Sequence, residues 1–587
     1  MKKRNLVEDT FISSFIICLM SSLAYAVGPM VDGAVIGRVL GVDSFAAYQL
    51  VWPVILVYAL VGAVVAGGVR NIYNTLLGKG KIREANEVFT LASLISCILS
   101  VLMMVLTFVF GNQLASLLGA NGNLGYLQSF VRNYLYGFVI GLPAMNMCKL
   151  LSTFMQVDGN GKMAIISVIV MTIVDIIGDL LAVFVFNGEM FTVALCTSVG
   201  NIICMGTLWL HFLRKDRLLR WVMPKISSIK SFTWDIFKNG IPTGLTRLAA
   251  TAGSMIVNYI ITINVGAVAF AAYGVHMSMK TLVGAVYLGA ADTVWSLSGL
   301  YYGQEDANSL KQLQRATLRF GLLIAVVSGV LIWVFAPFLA NIFMDSAMGR
   351  GFEMAIEAVH FFALSMPLFM LVYSFEDYLM GVKRLKFANI YTILLECVVV
   401  VASVYLMVVI FNKLGGGWFA TPANLSAMAV IAFVYVFLQK GSGNLAQKSL
   451  LLSNDSGTAK PTCSAEIFSV EDVIETSERV SKFCAENGVE SNKALYTGLF
   501  VEELGINTIK YGNKKPMIQV RIMIDGEEIV IRISDNCKAF NPKEYYEMLN
   551  QEGEDATKNI GIRMVSKLSK ELCYMNTFKT NNLMIKI

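Results

Sequence analysis

The chain has 587 residues, a net charge of +6 and only 15% charged residues, against about 25% in an ordinary soluble protein. The shortfall is uneven: from Cys463 onward there are 16 Lys+Arg and 19 Asp+Glu, 35 of the chain's 88 charges in its last 125 residues. This excludes a wholly soluble chain. The basic residues are strung between hydrophobic runs instead of clustered, so no nucleic-acid partner is expected. The ten scattered cysteines offer neither a disulfide framework nor a zinc spacing.

A membrane-spanning helix needs about 20 mostly apolar residues. Twelve such segments run in chain order at about 10–36, 46–70, 88–110, 127–153, 163–186, 190–212, 233–262, 267–298, 316–341, 355–380, 387–411 and 418–438. The first follows Lys2, Lys3 and Arg4 and ends past Ala24-Tyr25-Ala26. It is too long for a secretory signal core and is read as an uncleaved helix. Loops after even-numbered segments hold most of the Lys and Arg, among them Lys79, Lys81, Arg83, Lys162, Arg214, Lys215, Arg217, Lys383 and Arg384; those after odd-numbered ones hold only Arg38, Arg350 and Lys413. The positive-inside rule then predicts both termini in the cytoplasm.

The segments repeat. Phe45-Ala-Ala-Tyr48 recurs as Phe270-Ala-Ala-Tyr273, and in each case a glycine follows the Phe by 33 residues, Gly78 and Gly303. Phe154–Lys162 likewise parallels Tyr378–Lys386. The expected organisation is a six-helix half over 1–213, a cytoplasmic linker over 214–232, a second half over 233–440, a tether over 441–462 and a soluble domain over 463–587. In the last domain, helical periodicity covers 470–487 and 492–511. Alternating strands at 516–524 and 528–534 flank Asp525-Gly526, and helices near 543–550 and 560–571 precede two strands that run to Ile587. The fold class is therefore an all-α polytopic membrane protein joined to an α+β domain.

Charges inside apolar runs mark candidate sites, because each costs at least ~2.5–3.5 kcal/mol at the bilayer centre. Asp175 and Asp179 are four residues apart, on one helical face. Two carboxylates so close in low dielectric cannot both ionise cheaply, so the pair can take up and release a proton. Asp32 follows Pro29, where a bend would link geometry to proton occupancy. In the second half Arg247, Lys280, Asp292 and Glu396 stand in apolar runs. Asp292 and Glu396 are candidates for the substrate pocket, or else pair with Lys280 or Arg247. His211, His276 and His360 have no ligand spacing and read as structural.

Asp32-Gly-Ala-Val-Ile-Gly37, Leu77-Gly-Lys-Gly-Lys81, Val157-Asp-Gly-Asn-Gly-Lys162 and Tyr302-Gly-Gln-Glu305, in this order and with this duplication, resemble the multidrug and toxic compound extrusion (MATE) transporters over about residues 10–440. The resemblance implies alternating access and export of organic, often cationic, compounds against H+ or Na+. It also implies ion coupling at Asp32 and Asp179, with Asp175 standing where the family usually has Asn.

In the soluble domain Glu503 and Asn507 share a helical face, a carboxylate beside an amide whose oxygen suits Mg2+. Asp535 ends a predicted strand, and Gly561 opens a predicted helix. Together they resemble the GHKL-type, Bergerat-type ATP-binding fold, nearest to the anti-sigma-factor serine kinases. This implies a Mg2+-ATP site with Glu503 catalytic, Asn507 the metal ligand, Asp535 on adenine and Gly561 by the phosphates. Two positions depart from the pattern: Cys537 replaces a glycine, and Gly561 stands without its usual partner glycine. ATP binding is expected, while protein kinase activity stays open. The leading reading is a cation-coupled exporter in the cell membrane, regulated by a cytoplasmic ATP-binding domain. The alternatives are a membrane-anchored signalling protein acting on an anti-anti-sigma-like partner, and a lipid-linked oligosaccharide flippase, against which the scarcity of cations along the helices argues mildly.

Overall fold

In lipid no water satisfies backbone N–H and C=O groups, so an apolar run must close its hydrogen bonds within itself. In the computed structural model all twelve runs are accordingly helical. The structure describes residues 4–36, 40, 42–118, 127–186, 188–214, 217–264, 267–343, 349–411, 416–439, 445–452, 460–512, 515–551 and 559–587; Arg38, Lys215 and Lys413 lie outside them. The first half comprises α1 (Leu6–Val35), α2 (Val42–Gly78), α3 (Ile82–Leu117), α4 (Gln128–Val139), α5 (Leu142–Val157), α6 (Gly161–Phe184) and α7 (Met190–Trp209). The second comprises α8 (Ile226–Asn264), α9 (Ala267–Gly303), α10 (Ala307–Ala316), α11 (Leu322–Val334), α12 (Ala336–Phe343), α13 (Arg350–Gly381), α14 (Leu385–Ile393), α15 (Val399–Tyr405) and α16 (Gly416–Phe437). A short α17 (Leu445–Lys448) follows.

Among the described residues nine helical stretches are long and apolar enough to cross a membrane, and ten if α4 and α5, bent by 48°, form one span. Helices α8 and α9 are not among these stretches. They carry Lys230, Asp235, Lys238 and Arg247, and Lys280 and Asp292. Elsewhere burial is inverted relative to a soluble protein. On α6, Ile166, Ile169, Ile173, Ile177 and Phe184 are exposed while Asp175 and Asp179 are buried. An apolar rim around a polar interior is what a lipid solvent selects.

The two halves meet where the repeats do. Gly78 and Gly303, like Phe45 and Phe270, lie 225 positions apart. A side chain at Gly78 would strike the Gly303 backbone, and one at Gly303 would strike that of Thr75. Arg70 lies over the ring of Trp295, again 225 positions on, at 4.6 Å. Helices α2 and α9 thus cross at equivalent residues, as a duplicated unit packed about a pseudo-twofold axis must. Gly68 and Gly240 let α2 approach α8 as closely, each with a backbone carbonyl where a Cβ would lie. Asn74 Nδ2 donates to Ser296 O across the same seam (3.2 Å).

The chain divides into two units. One holds Ser14–Met155 and Gly161–Leu452; the other holds Ser453–Ile587 with Met1–Ser13 and Gln156–Asn160. Within the second, β1 (Thr462–Ile467), α18 (Val470–Glu486), α19 (Ser491–Tyr511), β2 (Ile518–Asp525), β3 (Glu528–Asp535), α20 (Pro542–Gln551), α21 (Ile560–Leu568), β4 (Glu571–Thr577) and β5 (Thr580–Lys586) follow in order. The strands form an antiparallel sheet ordered β1-β2-β3-β5-β4. Gly526, at φ +64°, makes the β2–β3 turn. Alternation puts Val520, Ile522, Ile531, Ile533 and Ile585 into a core with Val473, Val480, Phe500, Val501 and Leu504 of α18 and α19. Ser469 and Asp472 form a reciprocal capping box that starts α18.

Two features depart from the sequence reading. Strand β1 lies where the tether was expected to end, a six-residue edge strand beside β2. Residues 445–451 are not a free linker either. Ser449 exchanges two hydrogen bonds with Gln314 (2.8 and 2.9 Å). Tyr378 donates to Leu450 O and Arg384 to Leu451 O, each at 2.9 Å, and both leucines are buried.

Candidate functional site

The acids of the first half converge. Helical spacing puts Asp175 and Asp179 on the inner face of α6, and α1 brings Asp32 within electrostatic reach of both. Small residues allow the approach: Gly28 of α1 lies against the Asp175 carboxylate, and Gly200 of α7 against Asp175 Cβ. All three carboxyls are buried, at 4%, 6% and 0% exposure. One oxygen of Asp32, one of Asp175 and both of Asp179 have no hydrogen-bond partner among the described residues. Tyr48 and Tyr134, stacked edge-on at 5.5 Å, sense the charges of all three. An ionised carboxylate only accepts, so four orphaned oxygens in an apolar wall favour a proton or a cation among them. Among the described residues no three His, Cys, Asp or Glu side chains converge at metal-ligand spacing.

The second half separates its two candidates. Glu396 lies in a π-helical turn, Leu394–Val398, accepts from Tyr373 Oη at 2.5 Å and faces Lys280 Nζ at 3.7 Å. This is the pairing read from the sequence. Asp292 pairs not with Arg247 but with Arg70 of the first half, at 2.7 Å. Sequence reasoning passed over Arg70, Lys149, Glu376 and Asp377, although each stands as a charge at or inside an apolar run. Glu376 is buried and accepts from Thr392 and Thr246. The expected scarcity of cations along the helices does not hold, since Arg70, Lys149 and Arg247 each interact with a charge of the opposite half. His276 is held by Ala358 O and Thr421 Oγ1, a structural role as expected.

In the sheet domain, α19 carries Glu503 and Asn507 one turn apart, with Asn507 Nδ2 donating to Glu503 Oε1 at 2.8 Å. The Glu503 carboxylate fills the space that a side chain at Gly561 would take, so it lies at the N-terminal turn of α21. Asp535 ends β3, where Oδ1 accepts from Cys537 N–H (2.8 Å) and Asn581 Nδ2 (2.7 Å). Burial pushes its carboxyl above the usual range, and the Asn581 and Cys537 donors partly offset this. Asn581 in turn accepts from Tyr574 Oη at 2.6 Å, and burial pushes that phenol up to about 12. Asn581 and Tyr574 gave no signal in the sequence, because they meet Asp535 only through the β3–β5–β4 register. Cys537 packs its Sγ where a side chain at Gly512 would lie, so Gly512 supplies the close approach beside it.

A family model for MatE matches residues 18–181 and again 242–414, one match in each half and more than half of the chain together. The chain belongs to the MatE family. A model for the histidine kinase-like ATPase domain matches residues 468–587. The chain is 23% identical over 422 residues to the multidrug export protein MepA of Staphylococcus saprophyticus, covering 70% of this chain and 92% of that one. MepA of Staphylococcus aureus is 22% identical over the same length. Among solved structures, a MATE protein in complex with MaL6 superposes with TM-score 0.67 at 18% identity, covering 74% of this chain and 96% of that one. A MOP superfamily transporter from Pyrococcus furiosus, described as having a binding pocket of reversed polarity, gives 0.66 at 18%, covering 74% and 95%. The MatE unit thus has a helical membrane-transporter fold, and a GHKL-like ATPase domain is fused after it.

Proposed function

We propose that this MatE chain is a cation-coupled exporter of amphiphilic organic compounds in the cell membrane, working by alternating access between its two halves. Both termini and the ATPase-like domain face the cytoplasm, as the loop charges predict. The observation that carries this reading is the cluster of Asp32, Asp175 and Asp179, buried together with four unpartnered oxygens. We take the proton as the coupling ion, because protonation alone can satisfy the orphaned carboxylate oxygens. Proton binding would neutralise the cluster and let the α1–α6 contact tighten; proton release would restore repulsion between the two helices. The similarity to MepA supports drug-like substrates.

Asp535, Asn507 and Gly561 support a nucleotide site in the sheet domain, and we assign it a regulatory role. Asp535 would accept from an adenine amino group through its buried carboxyl, and Asn507 would offer its amide oxygen to Mg2+. Glu503 waits at the N-terminus of α21, beside Gly561. ATP, when bound, supplies a transferable phosphoryl group and a charge that competes with Glu503 for that helix end. The chain's own part is to orient these groups and to release Glu503 from α21.

Proteoliposomes holding the full chain test the exporter reading. An imposed pH gradient should drive uptake or efflux of a cationic dye, and Asp179→Asn should lower the rate at least tenfold. No dye movement under either a pH or a Na+ gradient would refute the reading. A Na+-driven flux that pH leaves alone would replace the coupling ion.

A further inference from the structure

The two-residue turn between β4 and β5 is built against its own preference. Phe578 and Lys579 both take the left-handed conformation, at φ +52° and +61°, which Asn and Gly adopt at least cost in such a turn. Backbone strain of this kind persists only where the surroundings hold it. A hairpin tip is ordinarily in solvent, yet Phe578 is 4% exposed. Its N–H lies outside the β4–β5 ladder, which ends at Thr577 and Thr580, and donates to Val157 O at 3.2 Å. Val157 ends α5, and residues 156–160 belong to the same compact unit as the sheet domain. The positive-inside rule expects this α5–α6 loop, with Lys162 just beyond it, on the same side of the membrane as that domain. The loop meets the hairpin with its backbone: Gly159, at φ +67°, has Asn576 Oδ1 2.8 Å from where a Cβ would lie. Asn576 Nδ2 donates to Asn581 Oδ1 (2.9 Å), and Asn581 Nδ2 to Asp535 Oδ1 (2.7 Å). The contacts thus run from the acid at the end of β3 to the loop. The residue after Asn160, Gly161, starts α6, a single 24-residue helix that carries Asp175 and Asp179.

We propose that the β4–β5 hairpin is the docking element of the ATPase-like domain, that its seat is the α5–α6 loop of the same chain, and that a nucleotide at Asp535 alters this seat through Asn581 and Asn576. An adenine amino group that donates to Asp535 competes with Asn581 for the carboxylate. Asn581 then shifts its hold on Asn576, and Asn576 its place against Gly159. A change at this loop is a change at the first turn of α6, so the domain acts on the helix that holds two of the three clustered acids. The coupling rests on the nucleotide site proposed above; the docking contact stands without it.

Hydrogen–deuterium exchange of the full chain in phosphatidylcholine nanodiscs tests both, with two variants that break the seat from opposite sides. Phe578→Asn with Lys579→Gly gives the turn its preferred residues, so the sheet keeps its fold while the buried ring is lost. Gly159→Asn keeps a residue that tolerates the left-handed conformation but forces Asn576 aside. In each, the amides of 156–160 should exchange about tenfold faster or more than in the wild type, with those of β2 and β3 within about twofold. Saturating Mg2+-AMP-PNP should change exchange at 156–160 in the wild type by about threefold or more. In the turn variant it should bind as before and leave those amides unmoved. Unchanged exchange at 156–160 in either nucleotide-free variant overturns the docking contact. Bound AMP-PNP that leaves wild-type 156–160 as it was overturns the coupling while the nucleotide site stands; no binding of AMP-PNP overturns the nucleotide site and the coupling together. A nucleotide effect that persists in the turn variant overturns the route through the hairpin.

Discussion

Asp535 shows a residue held against its own stability. Its carboxyl is raised by burial, so the folded domain keeps this proton at pH values where the unfolded chain has lost it. Folded protein therefore binds more protons in the window from the ordinary carboxylate value, about 3.9, up to the raised one. Stability falls as pH rises through that window and stays lower at neutral pH. Asp535→Asn should therefore raise or preserve the melting temperature of the sheet domain at neutral pH and flatten the slope on the acid side. It should also weaken Mg2+-ATP binding about tenfold or more, since a hydrogen bond to a charged group contributes about 1.5–3 kcal/mol. Calorimetry of the full chain across pH, with nucleotide titration, checks both; an earlier melt with unaltered ATP affinity would contradict the assignment. Gly561 predicts a different pattern. An alanine there meets the far end of the Glu503 side chain, which can swing away. Gly561→Ala should cost little stability, about 1 kcal/mol or less, yet move Glu503 off α21 and so change several-fold the ATP turnover that the proposed site predicts. A phosphate-release assay reads that change, and wild-type turnover would show that the Glu503–α21 contact is incidental.

Between elements, the pair that joins α2 to α9 is the sharpest test of how the halves work together. Arg70 is nearly buried, but Asp292 is 40% accessible. The cost of breaking their bond is therefore discounted from the several kcal/mol of a sealed pair to about 1–2 kcal/mol. Arg70→Asp and Asp292→Arg should each slow dye export several-fold, and the double exchange should recover part of the loss. No recovery in the vesicle assay would mean that the two charges act separately. The crossing itself was half legible in the sequence. The 33-residue spacing from Phe45 to Gly78 and from Phe270 to Gly303 exposed the duplication, and a duplicated helix pair has to meet about its axis. The acids of α1 and α6 were legible because a charge in an apolar run is conspicuous and a four-residue spacing fixes its face. Which charge meets which was not legible, because Arg70 and Asp292 are 222 residues apart in the chain and only tertiary packing pairs them. Strand β1 escaped for a related reason. Its six residues are mostly half-exposed on a sheet edge and lack the clean alternation of β2 and β3.

At the scale of the whole molecule, a regulatory domain acts on a transporter only if the chain between them transmits force. A free polar linker of twenty residues behaves as a random coil and transmits almost none. Here residues 445–451 are fixed to the second half by Gln314 of α10, Tyr378 of α13 and Arg384 just beyond it. Two buried leucines add to the hold, Leu451 at the strained φ of +52°. Ten residues, 452–461, then separate this anchor from β1, which starts at Thr462. A rearrangement of the sheet domain on binding nucleotide would therefore pull on α10 and α13, and α13 bears Glu376 and Asp377. Each anchoring hydrogen bond contributes about 1 kcal/mol, so losing two of the four loosens the segment without unfolding either unit. Tyr378→Phe with Arg384→Ala should leave Mg2+-ATP affinity within about twofold of wild type and dye export without nucleotide little changed. The proposed regulation predicts a change in wild-type export rate with Mg2+-ATP that is absent from the double variant. Export measured in the same proteoliposomes with and without internal nucleotide decides it. A nucleotide effect that survives the double substitution would mean that the signal travels by a route other than this anchored segment.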